Sequence, residues 1–354
     1  MKVLFLTKYD LMGASSRLRT YQYLPYLAQS GIEGEVVPFF PDRYLQRLYS
    51  GRGDLQSVLW AFVRRATALL AAKKYDLVWL EKEAFPWAPY LLERLFLGQV
   101  PYAVDYDDAV YHRYDQHRNG VVRGLLATKI DKIMSAAAMV TAGNEYLAEK
   151  ARSAGARRVE IVPTVVDMSR YPVAQPRLRE PFTIGWIGSP STRKYLESVR
   201  PALAALCGGG RGRVVLVGAG VVDWPEIPVE SRPWSEATEV KEISRFDVGI
   251  MPLVDAPWER GKCGYKLIQY MACGVPVVGS PVGVNRKLIV EGVNGFQASA
   301  GDEWIGALTR LREDPEGARA MGRAGREMVE EFYSLQASAP RVADLVIQAL
   351  RGAR

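Results

Sequence analysis

At 354 residues the chain is too long for one ordinary domain and suits two of common size. Apolar residues make up 48% and charged residues 24%, which excludes a disordered chain, and no apolar run approaches the ~20 residues that cross a bilayer. The net charge of +7 admits nucleic acid, an anionic membrane surface or an anionic substrate, but no zinc finger, RNP-type aromatic sequence or long basic block supports nucleic acid.

The excess charge is mostly N-terminal. Residues 1–170 hold 23 Lys+Arg and 18 Asp+Glu, or +5; the remainder holds 23 and 21, or +2. The opening Lys2-Val3-Leu4-Phe5-Leu6-Thr7 is too short for a signal peptide and suits a first strand. Cys207, Cys263 and Cys273 lack metal-ligand spacing and point to a reducing compartment, hence cytoplasm.

In chain order, residues 3–6 read as a strand and residues 18–30 as a helix stopped by Gly31. Residues 35–39 form the next strand and 55–72 the next helix. Strands follow at 77–80, 102–105 and 139–141. Such alternation predicts a parallel sheet with helices on both faces. The pattern lapses over 167–181, where Pro172, Pro176 and Pro181 mark a linker. It restarts with a strand at 183–187, a helix at 195–206, a strand at 213–217, a helix at 236–244 and a strand at 248–251. Residues 208–210, three glycines, read as a loop. A helix at 266–272, a strand at 275–278, helices after Trp304 and a last amphipathic helix at 336–350 complete a second doubly wound sheet. Ligands of such sheets bind beyond the carboxyl ends of the strands, and two sheets in series make a cleft.

The most informative stretch begins Gly261-Lys262-Cys263-Gly264-Tyr265-Lys266 and runs to Val278. A turn with one Lys opens a helix, Gly274 ends it, Pro276 prevents its resumption, and an apolar β-branched strand follows. Amides at a helix N-terminus beside a Lys make an anion site. This stretch resembles the donor-binding segment of retaining GT-B glycosyltransferases of the family 4 type. Residues 1–19, Thr141-Ala142-Gly143-Asn144-Glu145-Tyr146-Leu147, Ile161-Val162-Pro163-Thr164-Val165-Val166-Asp167, Ile184-Gly185-Trp186-Ile187-Gly188, Phe246-Asp247-Val248-Gly249-Ile250-Met251-Pro252-Leu253 and Gly292-Val293-Asn294-Gly295-Phe296 resemble other segments of that family, in its order.

The resemblance implies an α/β, GT-B fold of two doubly wound, Rossmann-like domains facing each other across a cleft. Residues 1–170 would form the acceptor-side domain and 171–335 the nucleotide-sugar domain, with 336–354 packing back on the first. It implies a retaining, metal-independent transferase that moves a sugar from a nucleoside-diphosphate sugar to a glycan or lipid-linked acceptor, in cell-surface polysaccharide or glycoconjugate synthesis. The alternatives are a nucleotide-sugar epimerase of the same architecture and a non-catalytic nucleotide-sugar-binding subunit.

The leaving diphosphate calls for cations and fixed N–H donors. In the family an Arg and a Lys after the second domain's first strand serve it. Here Ser189 holds the Arg position and Lys194 the Lys position, with Arg193 and Lys266 as further cations. The family's two Glu, seven residues between them, become Gly261 and Gln269; Gln269 still suits a ribose diol, and Glu259 stands near the lost carboxylate. Gly188, Gly264, Tyr265 and Trp234 complete the expected donor set. In the first half, Asp105, Asp107 and Asp108 follow a strand, where they either meet substrate or cap a turn. Asp105 and Asp107, on one face while the chain stays extended, are the catalytic candidates beside Lys194 and Lys266. Asp-x-Asp also binds metals in unrelated transferases, and the resemblance alone argues against a metal or other cofactor here. Gly13 and Arg17, after the first strand, are donor-side candidates, with Ser15 or Ser16 as a helix N-cap and Arg19 an exposed charge or an anion contact. Glu81, Glu83 and Asp108 are acceptor-side candidates, the first two equally read as a solvated loop. Residues 43–74 mix aromatics with Arg43, Arg47, Arg52, Arg64, Arg65, Lys73 and Lys74, which fits either a packed helix or contact with the anionic inner face of a membrane.

Overall fold

The computed structural model describes residues 1–49, 55–98, 100–172 and 181–351. Their contacts divide into two units. One comprises Met1–Thr164, Gly261–Cys263 and Ser338–Arg354; the other comprises Val165–Arg260 and Gly264–Ala337. The first unit thus ends before the expected boundary at residue 170, and residues 173–180, with most of the expected linker, lie outside the described residues.

Among the described residues, each unit holds one six-stranded parallel sheet. In the first unit β1 (Lys2–Leu6), β2 (Glu33–Val36), β3 (Leu77–Glu81), β4 (Tyr102–Tyr106), β5 (Met139–Ala142) and β6 (Val159–Ile161) lie in the order β2-β1-β3-β4-β5-β6. In the second, β7 (Phe182–Ile187), β8 (Gly212–Val217), β9 (Val229–Arg232), β10 (Val248–Met251), β11 (Val277–Gly279) and β12 (Gly295–Gln297) lie in the order β12-β11-β10-β7-β8-β9. The inner strands read as unbroken apolar runs because helices cover both faces; β3, β4 and β5 are buried at every residue. Chain order reverses between β1 and β3 in one sheet and between β7 and β10 in the other. These are the two switch points at which an open α/β sheet leaves a crevice beyond its carboxyl ends.

Prolines explain most departures from the expected elements. The helix expected at 18–30 is three pieces, Ala14–Arg19, Tyr21–Tyr23 and Leu24–Gln29, with Pro25 opening the last. The helix expected at 195–206 divides into a 3₁₀ segment, Pro190–Ser198, and an α-helix, Arg200–Cys207, that Pro201 opens. The strand expected at 35–39 ends at Val36, before Pro38, and the one expected at 275–278 starts at Val277, after Pro276. The three glycines at 208–210 form a short 3₁₀ turn with Gly209 left-handed. The final helix, Leu335–Arg351, meets its expected range, and within the first unit its Arg341 pairs with Glu160 at 3.3 Å. No helix among the described residues is long and apolar enough to cross a membrane.

Candidate functional site

At the switch point of the first unit, a loop after β1 leads into helix Ala14–Arg19, which carries Ser15, and β3 ends at Glu81, followed by Lys82 and Glu83. The Glu83 amide donates back to the Glu81 carbonyl (2.8 Å), which places Lys82 at the centre of a three-residue turn with φ +66°. A left-handed backbone costs a lysine on the order of 1–2 kcal/mol, and the surrounding contacts hold it there. The Lys82 ammonium lies 2.7 Å from Asp107 Oδ1, 2.9 Å from Ser15 Oγ, 3.7 Å from Glu81 Oε1 and 3.8 Å from Asp108 Oδ2. Ser15 Oγ donates to the other Asp107 oxygen. Burial alone would lower the pKa of Lys82, but the Asp107, Glu81 and Asp108 charges raise it. Burial would likewise raise Asp107; the charges of Lys82 and Arg19, with hydrogen bonds from Lys82 and Ser15, hold it at about 2. Asp108 goes the other way, pushed up by burial and by the Asp107 charge.

Beneath this layer, Asp105 is no open catalytic carboxylate. Arg19 donates to both of its oxygens (Nε to Oδ2 2.9 Å, Nη2 to Oδ1 2.5 Å), and Thr141 Oγ1 adds a third bond at 2.6 Å. Arg19, expected as an exposed charge or an anion contact, is buried in this bidentate pair, and its Nη1 reaches the Val162 carbonyl at 2.6 Å. Glu81 and Glu83, expected on a wet acceptor side, are buried. Glu81 accepts from Ser16 Oγ (2.6 Å) and the Lys8 amide (2.9 Å); Glu83 pairs with the buried Lys129 (2.7 Å) and accepts from the Tyr114 hydroxyl. Gly13 leaves room for Tyr9, since a Cβ there would lie 2.3 Å from Tyr9 Cβ. Arg17 is buried and closes the loop onto the Leu11 carbonyl (3.1 Å). Neither Ser15 nor Ser16 caps the helix; both bind acidic side chains instead.

In the second unit, Gly264 caps helix Tyr265–Ala272 in the left-handed region, φ +67°, where a Cβ would strike Leu288 at 2.1 Å. At the second residue of that helix, Lys266 lies with its ammonium 4.5 Å from the Trp186 ring centroid and 3.5 Å from Thr192 Oγ1. Gly188, just past β7, makes this approach feasible, because a Cβ there would meet the Trp186 ring at 2.5 Å and Lys266 Cε at 2.9 Å. Ser189 opens the 3₁₀ segment: its amide donates to Thr192 Oγ1 (3.3 Å), and its hydroxyl meets that of Ser191 (2.8 Å). Thus β7 and the Gly264 turn bring Gly188, Ser189, Thr192 and Lys266 together at the second switch point, with Tyr265 partly buried beside Lys266.

Other expected donor residues stand elsewhere. Lys194 is exposed along the Tyr195 ring, and Arg193 donates to the Val221 carbonyl (2.8 Å). Glu259, expected to meet the sugar, is buried and accepts from the Tyr195 hydroxyl. Gln269 is buried and donates to the Tyr171 hydroxyl at 3.3 Å. Trp234 donates its indole N–H to Glu239 (3.0 Å) while one side remains in solvent. In the first unit Gly261 lies against Ala109, where a Cβ would come to 2.5 Å, so the glutamate usual at this position has no room. Asn144 holds this turn through the Gly261 and Lys262 carbonyls, 3.0 Å each.

On helix Leu55–Leu70, Leu55, Leu59, Trp60, Val63 and Leu70 are exposed. Arg64 and Arg65 do not join that face: Arg64 donates to the Pro38 and Phe39 carbonyls (2.6 and 2.7 Å), and the buried Arg65 to Thr7 O (2.5 Å). Arg52 lies outside the described residues. No group of His, Cys, Asp and Glu suited to a metal occurs among the described residues.

Sequence reasoning passed over Lys82 and Lys8, and held Trp186 and Asn144 only as members of motif segments, without a role. Lys82 had one available signal, a cation between two carboxylates at a strand's carboxyl end. Lys8, two residues past β1, is half-buried, and burial with the Arg113 and Lys82 charges lowers its pKa to about 8.

Residues 181–314 match the family model described as Glycosyl transferases group 1. No curated protein matches the chain. Among solved structures, sucrose-phosphate synthase from Thermosynechococcus elongatus aligns at 17% identity and a TM-score of 0.74 over 99% of each chain. HepE of Anabaena, in complex with UDP, aligns at 17% identity and 0.71 over 98% of this chain and 100% of that one. The lipopolysaccharide outer core galactosyltransferase WaaB, in its apo form, aligns at 14% and 0.62 over 98% and 99%. The resemblance carried by the motifs is borne out, and the two Rossmann-like units are those of a GT-B fold.

Proposed function

We propose that this chain is a retaining glycosyltransferase that moves a sugar from a nucleoside-diphosphate sugar to a glycan or lipid-linked acceptor, without a metal ion. The observation that carries the reading is Lys266 held over Trp186 against Gly188, at a switch point inside the segment that matches the group 1 family. A cation and a helix N-terminus beyond the carboxyl ends of parallel strands suit a diphosphate that gains charge as the glycosidic bond breaks. HepE structures holding UDP and UDP-glucose support a uridine nucleotide as the first donor to try. Asp105 is locked in an ion pair and offers no open base, which favours transfer on one face of the sugar with the leaving phosphate taking the acceptor proton.

The exposed apolar residues of helix Leu55–Leu70 favour work at the inner face of a membrane, in the assembly of cell-surface polysaccharide or glycoconjugate. The non-catalytic alternative draws on one observation: Glu259 and Gln269 are engaged by Tyr195 and Tyr171, and position 261 carries no side chain.

Calorimetric titration with UDP, GDP, ADP and TDP, without metal and then with magnesium, tests the reading. Selective micromolar binding, indifferent to metal, supports it; no binding of any removes it. Lys266→Ala is expected to lose roughly 2–4 kcal/mol of transition-state stabilisation. Wild-type turnover in that variant would sink the site assignment.

A further inference from the structure

Four carboxylates gather where the first sheet reverses its chain order, and they are not equivalent. The Glu81, Asp105 and Asp107 side chains are 1%, 4% and 13% exposed, whereas that of Asp108 is 32% exposed. The inner three are engaged. Arg19 closes on Asp105, Ser16 on Glu81, and Lys82 with Ser15 on Asp107. Asp108 is the most exposed of the four, and its Oδ2 lies 3.8 Å from the Lys82 ammonium.

The Lys82–Ser15 bond joins the loop after β3 to the helix after β1, and so spans the switch point itself. That crevice is where an open α/β sheet takes its ligand. A part-exposed carboxylate backed by a buried cation accepts hydrogen bonds from hydroxyls and disfavours anions.

We infer that Lys82 is a positioning residue for a hydroxyl-recognition site in this crevice, fixing the Asp107–Asp108 pair so that Asp108 accepts a hydrogen bond from a hydroxyl of a sugar acceptor. The inference rests on the proposed transfer reaction and supplies its acceptor side. No proton transfer to Asp108 is involved; its task is to orient the attacking oxygen. Lys82 touches no substrate and acts through the carboxylates. The charged groups bearing on Asp108 are Asp107 beside it, Lys82 from the β3 turn, Arg113 from the segment after β4, and Lys262 from the Gly261–Cys263 turn.

Lys82→Met, Lys82→Arg and Asp108→Asn, each in the full chain, test this. Two readouts are needed: the pH dependence of kcat/KM for the acceptor, and the titration of the Asp108 carboxyl followed by carbon NMR of aspartate-labelled protein. Removing the cation leaves Asp107 and Asp108 to repel each other. In Lys82→Met the acid limb of the profile and the Asp108 titration should therefore both move up by about one pH unit. The acceptor KM should rise roughly tenfold, while nucleotide binding stays within about twofold. Lys82→Arg should restore most of the profile, and Asp108→Asn should abolish the acid limb. An unmoved Asp108 titration in folded Lys82→Met would overturn the inference, as would an acid limb that survives Asp108→Asn. Failure of the wild-type chain to transfer to any sugar acceptor would count against the proposed reaction. The NMR titration in that case still decides whether Lys82 governs Asp108.

Discussion

The two sheets are finished differently at the same topological point. Each reverses chain order beside its first strand, and each places a lysine there. In the first unit, Lys82 is enclosed by carboxylates on a strained turn. In the second, Lys266 lies on a helix over an indole ring and beside a threonine hydroxyl. A shared topology thus delivers a crevice, and the charges around the lysine decide its chemistry. The first crevice presents a carboxylate outward, which suits hydroxyls; the second presents a cation at a helix N-terminus, which suits phosphate.

The largest effect expected from breaking this contrast comes from its foundation in the first unit. Arg19→Met strands the buried Asp105 and should cost about 3–5 kcal/mol of stability. Chemical denaturation should show it as a lower midpoint; an unchanged midpoint would mean that the pair does not hold the sheet. In the second unit, Gly188→Ala forces the Trp186 ring and Lys266 apart. Nucleotide affinity should fall about tenfold, or ~1.4 kcal/mol, and equal affinity by calorimetry would remove Lys266 from the phosphate site.

Lys8→Met sharpens the electrostatic half of the comparison. The folded protein holds the Lys8 pKa at about 8, below the unfolded 10.5, so the unfolded chain binds more protons between those values. The resulting penalty is present below pH 8 and relieved as pH rises towards 10.5. Lys8→Met should therefore raise stability at pH 7 by roughly 1–3 kcal/mol and little at pH 10; an equal gain at both would refute the assignment.

Asp107 and Asp108 give the smallest and most particular signature. Asp107 sits at about 2 in the folded state, so its stabilisation is present above the ordinary carboxylate range and is lost as pH falls from roughly 4 towards 2. Asp108 is raised, and its ionisation opposes folding above that range. At pH 7 Asp107→Asn should lower stability by roughly 1–2 kcal/mol, while the partly exposed Asp108→Asn should raise it by less than about 1 kcal/mol. Equal signs for the two would erase the distinction between inner and outward carboxylates.

The Gly264 turn with Lys266 was legible because its signals are local: a glycine at a helix start, an adjacent lysine, a Gly–Val–Pro stop and an apolar strand. The acidic cluster was legible only as a location. Nothing near Asp105 names its partner, since Arg19 lies 86 residues away and Thr141 lies 36 residues away. The same distance hid the burial of Glu81 and Glu83, which look like a wet loop until Ser16 and Lys129 arrive. Gly261 looked like a lost contact to the donor sugar, and the structure shows a position with no room for a side chain.

The amino-acid sequence by itself determined the alternation of strands and helices, the two doubly wound halves, and the phosphate-type turn, because hydrophobic period, proline and glycine act on neighbouring residues. Only the tertiary structure decided which charges are paired and which face outward. A carboxylate buried against a cation and one turned to solvent look the same in a chain, and long-range packing alone separates them.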